Sequence, residues 1–167
     1  MTTPLFIQST GAESTQDLGR TIGEQASAGD VILLTGELGA GKTCLTQGIA
    51  LGLGVEVYVR SPTFVLMTRH QGRLTLHHVD LYRMGSPAEA WDLGLDEQLF
   101  GEGICVIEWA DRAAELFPED CLWIDLKYGQ DPDSREIALE PGMNLEKSRF
   151  KKLLDRLSQK VPLSKGG

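Results

Sequence analysis

The stretch VILLTGELGAGKT, residues 31–43, joins an apolar run to a glycine-rich loop. The run Val31 to Thr35 has the length and β-branched content of a fully buried strand. The loop Gly36 to Thr43 satisfies the pattern G-x-x-x-x-G-K-[ST], and apolar residues at helical spacing from Leu45 to Leu53 predict a helix directly after it. A strand, such a loop and a helix in this order are typical of a nucleotide-binding domain in which the loop holds the phosphates.

Each part of this loop has a physical task in binding ATP with magnesium. Glycines allow backbone conformations that bring amide N–H groups close to phosphate oxygens, and the N-terminus of the following helix favours anions. Lys42 is placed to neutralise the β and γ phosphates, and the Thr43 hydroxyl to ligate Mg2+. We therefore predict ATP and Mg2+ as cofactors, with nucleotide contacts from Glu37, Leu38, Gly39, Ala40, Gly41, Lys42, Thr43 and Cys44.

The rest of the chain predicts an α/β fold. Apolar and β-branched runs alternate with stretches at helical spacing, as in parallel sheets covered by helices. The Gln71-Gly72 turn lies between the runs 64–69 and 73–80 and predicts a β-hairpin. We expect a three-layer sandwich of the P-loop NTPase type, with a mixed, mostly parallel sheet that contains this hairpin. Residues 1–143 are predicted to form the ATPase domain, and residues 144–167 an amphipathic C-terminal helix and a frayed tail.

Further elements follow from local patterns. Ser86-Pro87-Ala88-Glu89 has the residues of a capping box with proline at the first helical position, which predicts the start of a helix. The remaining predictions are a strand at 5–8, a helix from Thr15, the continuation of the Ser86 helix to about Leu99, a strand at 103–109, and a strand pair at 122–127 and 135–139.

Composition and charge limit the classes of function. The chain of 167 residues has 41% hydrophobic and 24% charged residues, as in an ordinary folded domain. A formal net charge of -8 and a pI near 4.9 argue against direct binding to tRNA or DNA, because clustered Lys and Arg bind phosphate backbones. We expect a cytoplasmic protein, since no stretch reaches the roughly 18 apolar residues of a membrane span. Cys44, Cys105 and Cys121 are expected to be reduced thiols in or near the core.

Two acidic residues end predicted strands. Asp80 follows RLTLHHV, and Glu108 ends ICVIE. Ligands of open α/β sheets bind at the carboxyl ends of the strands, so both carboxylates are candidates for metal binding or catalysis. On the sequence alone, Glu108 could instead form an ion pair and Asp80 could cap a turn.

Three other features leave alternatives open. Ser61-Pro62-Thr63 lies in a polar break before a strand, where a loop could cover the γ-phosphate. Trp109 could belong to the core or line the site. His70, His77 and His78 show no metal-ligand spacing, and His77 and His78 face opposite sides of a strand. We expect all three histidines to be structural or surface residues.

Five motifs, in this order, are similar to those of the bacterial TsaE family, formerly YjeE. They are GELGAGKT at 36–43, SPTF at 61–64, HHVDLYR at 77–83, WDLGLDE at 91–97 and IEWA at 107–110. The similarity covers roughly Leu5 to Leu139, and SPTF and DLYR are not general features of P-loops. Members of that family are small ATPases needed for the threonylcarbamoyl-adenosine modification of tRNA.

The resemblance implies roles for individual residues and partners. It implies catalysis by Asp80, Glu108 and Thr63, metal binding by Thr43 and Glu108, and further nucleotide contacts from Thr10, Trp109 and Arg135. It also implies an ATP-driven switch that hydrolyses ATP slowly and acts on a complex of the proteins TsaB and TsaD. Contact with tRNA is then indirect, through that complex, and no membrane is involved.

Three other readings of the P-loop compete with this one. A small-molecule kinase commonly has an arginine-rich lid, and no segment of the chain has clustered arginines. A GTPase is disfavoured because the sequence has no N-K-x-D and no D-x-x-G after the hairpin. A nucleotide-gated binding module without hydrolysis uses the same loop and metal ligands, so the sequence does not separate it from a slow ATPase.

Overall fold

The computed structural model describes residues 4–56, 59–60, 67–92, 94 and 102–160. The described elements, in chain order, are β1 (Leu5–Ser9), α1 (Ala12–Gln25), β2 (Val31–Gly36), α2 (Lys42–Gly52), β3 (Met67–His70), β4 (Leu76–Asp80), α3 (Pro87–Asp92), β5 (Ile104–Glu108), the 3₁₀ helix η1 (Ala110–Leu116), β6 (Leu122–Tyr128), β7 (Arg135–Pro141), the 3₁₀ helix η2 (Leu145–Lys147) and α4 (Lys151–Lys160).

The described strands form one sheet in the order β1-β7-β6-β2-β5-β4-β3. The central strand β2 pairs in parallel with β5 and β6, and β4 pairs in parallel with β5. β3, β7 and β1 add antiparallel pairings at the two edges, and β1 runs antiparallel to β7 and therefore in the same direction as β2. Most strands thus point one way, and the predicted mixed, mostly parallel sheet with a hairpin is confirmed.

Helices cover both faces of the sheet, which gives the expected three layers. Successive side chains of β2 alternate between faces. Ile32 and Leu34 pack in a buried cluster with residues of α1, α2 and α4. Val31 and Leu33 pack in a second cluster with residues of η1. Because β2 is apolar on both faces, it is buried at the centre of the molecule.

The C-terminal helix α4 packs on the same core as α1 and α2. Phe150, Leu153, Leu154 and Leu157 are buried in that cluster. The preceding Arg149 forms a salt bridge with the buried Asp30 and donates to the carbonyls of residues 28 and 29. The predicted amphipathic helix is therefore present within 151–160. The frayed tail from residue 162 lies outside the described residues, and the division of the chain after residue 143 stays a prediction.

Close packing of α1 against α2 fixes the helix that follows the glycine-rich loop. A Cβ added at Gly48 would overlap the carbonyl oxygen of Gln16, and one at Gly19 would overlap that of Leu45. On the next turns of the two helices, Gly23 and Gly52 are also so close to the opposite backbone that a Cβ would overlap it. Only glycine allows backbones to approach this closely, so α2 has a defined position relative to α1 and the sheet.

Some predicted boundaries were wrong. α1 begins at Ala12 and not at Thr15, because Gly11 already serves as its N-cap and accepts a hydrogen bond of 3.0 Å from the Thr15 amide. The helix predicted from Ser86 is described as α3 over Pro87–Asp92, and most of its expected continuation to Leu99 lies outside the described residues.

All three cysteines are reduced thiols, as expected. Cys105 and Cys121 are buried and Cys44 is half-buried. Burial raises the pKa of Cys105 to about 12 and that of Cys121 to about 11. In the described part of the chain, no helix has the length and apolar character needed to cross a membrane.

Candidate nucleotide-binding site

The glycine-rich loop joins β2 to α2 at the carboxyl end of the central strand. Gly39 has φ of 82° and Gly41 has φ of 109°. Residues other than glycine rarely adopt these left-handed backbone conformations, so both positions require glycine. α2 begins at Lys42, directly after this turn, and its first amide N–H groups have no partners within the helix. The local sequence therefore builds an anion site at the start of α2.

Two side chains from β6 and β7 brace the loop through its carbonyl groups. The Tyr128 hydroxyl donates to the Leu38 carbonyl at 2.8 Å, and Arg135 Nε donates to the Ala40 carbonyl at 3.1 Å. The Arg135 guanidinium also stacks on the Tyr128 ring, 4.5 Å from its centroid. Arg135 thus contacts the phosphate loop itself, and it is not among the described residues that line the cleft in front of the loop.

Lys42 is buried, with 5% of its surface exposed. Its Nζ donates to the carbonyls of Gly36 at 2.6 Å and Glu37 at 2.9 Å, and lies 4.1 Å from the centroid of the Trp109 ring. Burial lowers the pKa of Lys42, and the attraction of Glu108 opposes this shift. The ammonium is therefore held by its own loop and an aromatic face, in a place where an anionic phosphate would relieve the cost of its burial.

Trp109 forms one wall of the site in a constrained backbone conformation. Its φ of 60° and ψ of 38° make it the one residue other than glycine with positive φ in the described part of the chain. Its ring packs on Tyr82, with the two centroids 4.8 Å apart. A bulky residue in this region is costly and persists where surrounding contacts hold it, so the position of the Trp109 ring is strongly determined.

Thr43 and Glu108 bring two kinds of oxygen together beside the loop. The Thr43 hydroxyl donates to Glu108 Oε1 at 3.0 Å and lies 3.3 Å from Oε2. Glu108 ends β5 and is 3% exposed. Hydroxyl and carboxylate oxygens are the hard donors that Mg2+ takes from proteins, with phosphate oxygens and water completing its shell. The donor set at this point therefore fits Mg2+ held with a bound nucleotide.

Asp80 lies beside Glu108 at the carboxyl end of the neighbouring strand. The two residues are partners in the parallel pairing of β4 with β5. Asp80 is 1% exposed and accepts a hydrogen bond of 2.8 Å from the Tyr82 amide. Asp80 therefore caps the turn after β4 and also lines the cleft, and its role in catalysis or metal binding stays a prediction.

His78 contacts a candidate site residue, and the sequence reasoning did not predict this contact. His78 is fully buried and its Nε2 contacts Glu108 Oε2. Its burial agrees with the expectation of a structural or surface residue. The sequence places His78 on the same face of its strand as Asp80, because residues two apart in a strand share a face, but it does not indicate the contact with Glu108 on the neighbouring strand. His77 points to the other face, is buried, and bonds the Glu102 carbonyl at 2.9 Å.

A cleft of about 380 Å³ opens in front of the loop. It brings together most of the predicted site residues, and its lining consists of Leu38, Gly39, Gly41, Lys42, Thr43, Cys44, Asp80, Tyr82, Glu108 and Trp109. A second cleft of about 660 Å³ shares Trp109 with the first and is lined by Glu37, Asp125 and Tyr128 among others.

Other predicted site residues are not among the described residues that line the cleft. Thr10 is exposed in the β1–α1 connection, which approaches the loop where Cys44 Sγ donates to the Ala12 carbonyl at 3.3 Å. Ala40 is a residue of the loop, but its side chain is buried. Thr63 lies outside the described residues, as does the rest of SPTF. In the part of the chain that the structure describes, no cluster of three or more His, Cys, Asp or Glu could hold a metal ion by itself.

Comparisons with known proteins give the family. The sequence profile of the family described as "Threonylcarbamoyl adenosine biosynthesis protein TsaE" matches residues 9–137, which is more than half of the chain. The chain belongs to the TsaE family. The matched region contains the P-loop and both strand-end carboxylates, so the residues that line the cleft belong to the shared family domain.

Individual relatives agree with this assignment. The chain is 43% identical over 131 residues to the tRNA threonylcarbamoyladenosine biosynthesis protein TsaE of Treponema pallidum, covering 78% of this chain and 96% of the relative. It is 41% identical over 148 residues to the protein of the same name from Bacillus subtilis, covering 88% and 89%. The crystal structure of Bacillus subtilis YdiB superposes with a TM-score of 0.79 at 35% identity, covering 95% of this chain and 97% of that one.

Proposed function

We propose that the protein is a magnesium-dependent ATPase that serves tRNA threonylcarbamoyladenosine modification as an ATP-driven switch on a complex of TsaB and TsaD. One observation carries the proposal: the P-loop, Lys42 and both strand-end carboxylates line a single cleft. The names of the TsaE relatives support the pathway.

In this proposal the triphosphate lies over the start of α2. The backbone amides of the loop and Lys42 Nζ face phosphate oxygens, and Lys42 exchanges its two carbonyl bonds for phosphate contacts. The Trp109 ring stays packed against Lys42, and the hydrogen bond from Arg135 to the Ala40 carbonyl stabilises the loop conformation. Adenine would lie near the β1–α1 connection around Thr10, which flanks the loop.

Thr43 and Glu108 would hold Mg2+ between the loop and β5. When bound, the metal neutralises charge that develops on the phosphates and helps to align them. Asp80, which is buried beside Glu108, would orient or deprotonate the attacking water. Thr63 would belong to the loop that closes over the γ-phosphate.

We expect slow intrinsic hydrolysis from the residues that line the cleft. Among the described residues that line it, Lys42 is the cation and no arginine is present. In P-loop switches an arginine finger in cis or in trans is worth about 10³ to 10⁵ in rate. The isolated chain should therefore turn over slowly, and a partner that supplies or orders a missing group should change the rate.

The overall charge supports a protein partner in preference to RNA. With a formal net charge of -8, the chain repels a bare phosphate backbone. Contact with tRNA would then pass through TsaB and TsaD. A cytoplasmic location agrees with a role in tRNA modification.

The test is single-turnover hydrolysis of radiolabelled ATP by the chain alone, with TsaB and TsaD, and with tRNA alone. We expect slow release of inorganic phosphate from the chain alone, an altered rate with both proteins and no change with tRNA. Fast hydrolysis that the two proteins leave unchanged would contradict the switch. Label recovered on a small-molecule acceptor would instead identify a kinase.

A further inference from the structure

We propose that His78 is a positioning residue that holds Glu108 in the orientation needed for Mg2+, through a hydrogen bond from His78 Nε2 to Glu108 Oε2. The inference rests on the proposed function, because it concerns the carboxylate that would ligate the metal of bound ATP. It assigns a task in the site to a histidine that lies outside the P-loop and outside the cleft lining.

The strand pairing brings the two side chains together inside the sheet. His78 of β4 is paired with Val106 of β5, so its ring lies diagonally across from Glu108, two residues farther along β5. Side chains in this diagonal relation are within reach of one another when one of them is long or aromatic. His78 is 0% and Glu108 3% exposed, so water does not compete for the contact.

The hydrogen of this contact must belong to the histidine. An ionised carboxylate has no hydrogen to give and only accepts, so Nε2 carries the N–H. Nδ1 of His78 is buried without a hydrogen-bond partner in the described part of the chain. The tautomer with hydrogen on Nε2 leaves only a lone pair at Nδ1, whereas a hydrogen there would be an unsatisfied buried donor, which is rare in folded proteins. The surroundings therefore select the tautomer that donates to Glu108.

The two oxygens of Glu108 then have different partners. Oε2 accepts from His78, and Oε1 is the oxygen nearest to the Thr43 hydroxyl, at 3.0 Å. The bond to His78 fixes the carboxylate plane, which places Oε1 beside the hydroxyl that shares the metal. Groups that orient a metal ligand in this way typically change metal affinity about 10- to 100-fold when they are removed.

His77 supplies a matched control within the same strand. It is a neighbouring buried histidine, but it faces the other side of the sheet and bonds a backbone carbonyl, that of Glu102. Loss of its side chain affects packing and a loop contact without touching Glu108. A difference between variants at 78 and 77 therefore reports on the contact with Glu108 and not on the loss of a buried histidine.

The experiment measures ATP affinity by calorimetry in Mg2+ and again in EDTA, for the wild type and for His78→Phe, His78→Gln, His78→Asn and His77→Phe. The tightening of ATP binding by Mg2+ is the quantity compared. Phe fills the space without a donor. The Gln amide nitrogen reaches the position of Nε2, whereas that of Asn reaches only the position of Nδ1.

We expect His78→Phe and His78→Asn to lose about tenfold or more of the Mg2+ effect, with unchanged affinity in EDTA. His78→Gln should restore most of the effect, and His77→Phe should keep all of it. The pair of Gln and Asn variants decides the question if the Phe variant does not fold.

Three outcomes would overturn the proposal. They are a full Mg2+ effect in both the Phe and Asn variants, a Gln variant no better than Asn, or an equal loss of affinity in Mg2+ and in EDTA. A wild-type chain whose ATP affinity does not respond to Mg2+ would instead contradict the proposed function, and the role of His78 would fall with it.

Discussion

Lys42→Met separates the proposed phosphate-binding role of Lys42 from its place in the fold. The ammonium now gives hydrogen bonds of 2.6 and 2.9 Å to the carbonyls of Gly36 and Glu37. With ATP bound, these donors would face phosphate oxygens, and each charge-assisted bond is worth about 1.5–3 kcal/mol. Since the two carbonyl bonds given up offset part of this gain, we take the lower end of the range for both phosphate bonds, about 3 kcal/mol in total, which corresponds to about 150-fold in Kd.

Methionine keeps the aliphatic part of the side chain against Trp109 and removes a charge whose burial is unfavourable. Burial lowers the pKa of Lys42, so the folded protein already disfavours the charged form at this position. Lys42 is buried at the start of α2, which is why methionine, not alanine, is the informative replacement. We expect an unchanged circular dichroism spectrum and a nearly unchanged Tm.

The assay is calorimetric titration of ATP with Mg2+ into the wild type, Lys42→Met and Lys152→Met. Lys152 is an exposed residue of α4, so its replacement removes the same charge far from the cleft. The control should bind ATP as the wild type does. Lys42→Met with a Kd on the order of threefold or less above that of the wild type would refute the phosphate contact, since that is well under 1 kcal/mol.

Three other substitutions test the metal ligand, the second carboxylate and the scaffold. Glu108→Ala should abolish Mg2+-dependent hydrolysis and leave ATP binding in EDTA, because Lys42 and the loop amides remain; normal turnover would remove Glu108 from the metal site. Asp80→Asn keeps an acceptor for the turn after β4 but loses the charge, so single-turnover hydrolysis should fall by about 100-fold or more at an unchanged Tm. A lower Tm with normal hydrolysis would show that Asp80 stabilises the turn after β4 and has no part in hydrolysis. Gly48→Ala should cost about 3 kcal/mol, or roughly 10 °C in Tm, because the added methyl overlaps the backbone of α1. Glu24→Ala, at an exposed position of α1, is the control, and an equal Tm for both would contradict the close packing.

Local parts of this fold could be predicted because their signals are local. The apolar run before Gly36 and the helical spacing after Lys42 identify β2, the loop and α2 within a short stretch of sequence. The Gln71-Gly72 turn similarly gives the β3–β4 hairpin. Asp80 and Glu108 were candidates because each ends an apolar strand, and parallel pairing brings strand ends to one edge of the sheet.

Strand order was not predictable in the same way, and this limited the site. The contact of His78 with Glu108 exists only because β4 lies next to β5, which no local pattern reveals. The pairing of β1 with β7 joins strands that are far apart in the sequence, so no turn between them indicates that they pair. The positive φ of Trp109 is likewise set by tertiary contacts, since bulky residues disfavour it locally.

Calorimetric measurement of reciprocal affinities tests the ATP-driven switch most directly. ATP binding to the chain is measured with and without the complex of TsaB and TsaD, and binding of the chain to that complex is measured with and without ATP, all in Mg2+. Linkage requires both affinities to change by one common factor, and typical couplings are about 5- to 150-fold. We predict that ATP and the partner complex each tighten binding of the other by that factor. An ATP affinity that the complex does not change, together with an affinity for the complex that ATP does not change, would contradict the switch. The protein would then be an ATPase that is not coupled to these partners.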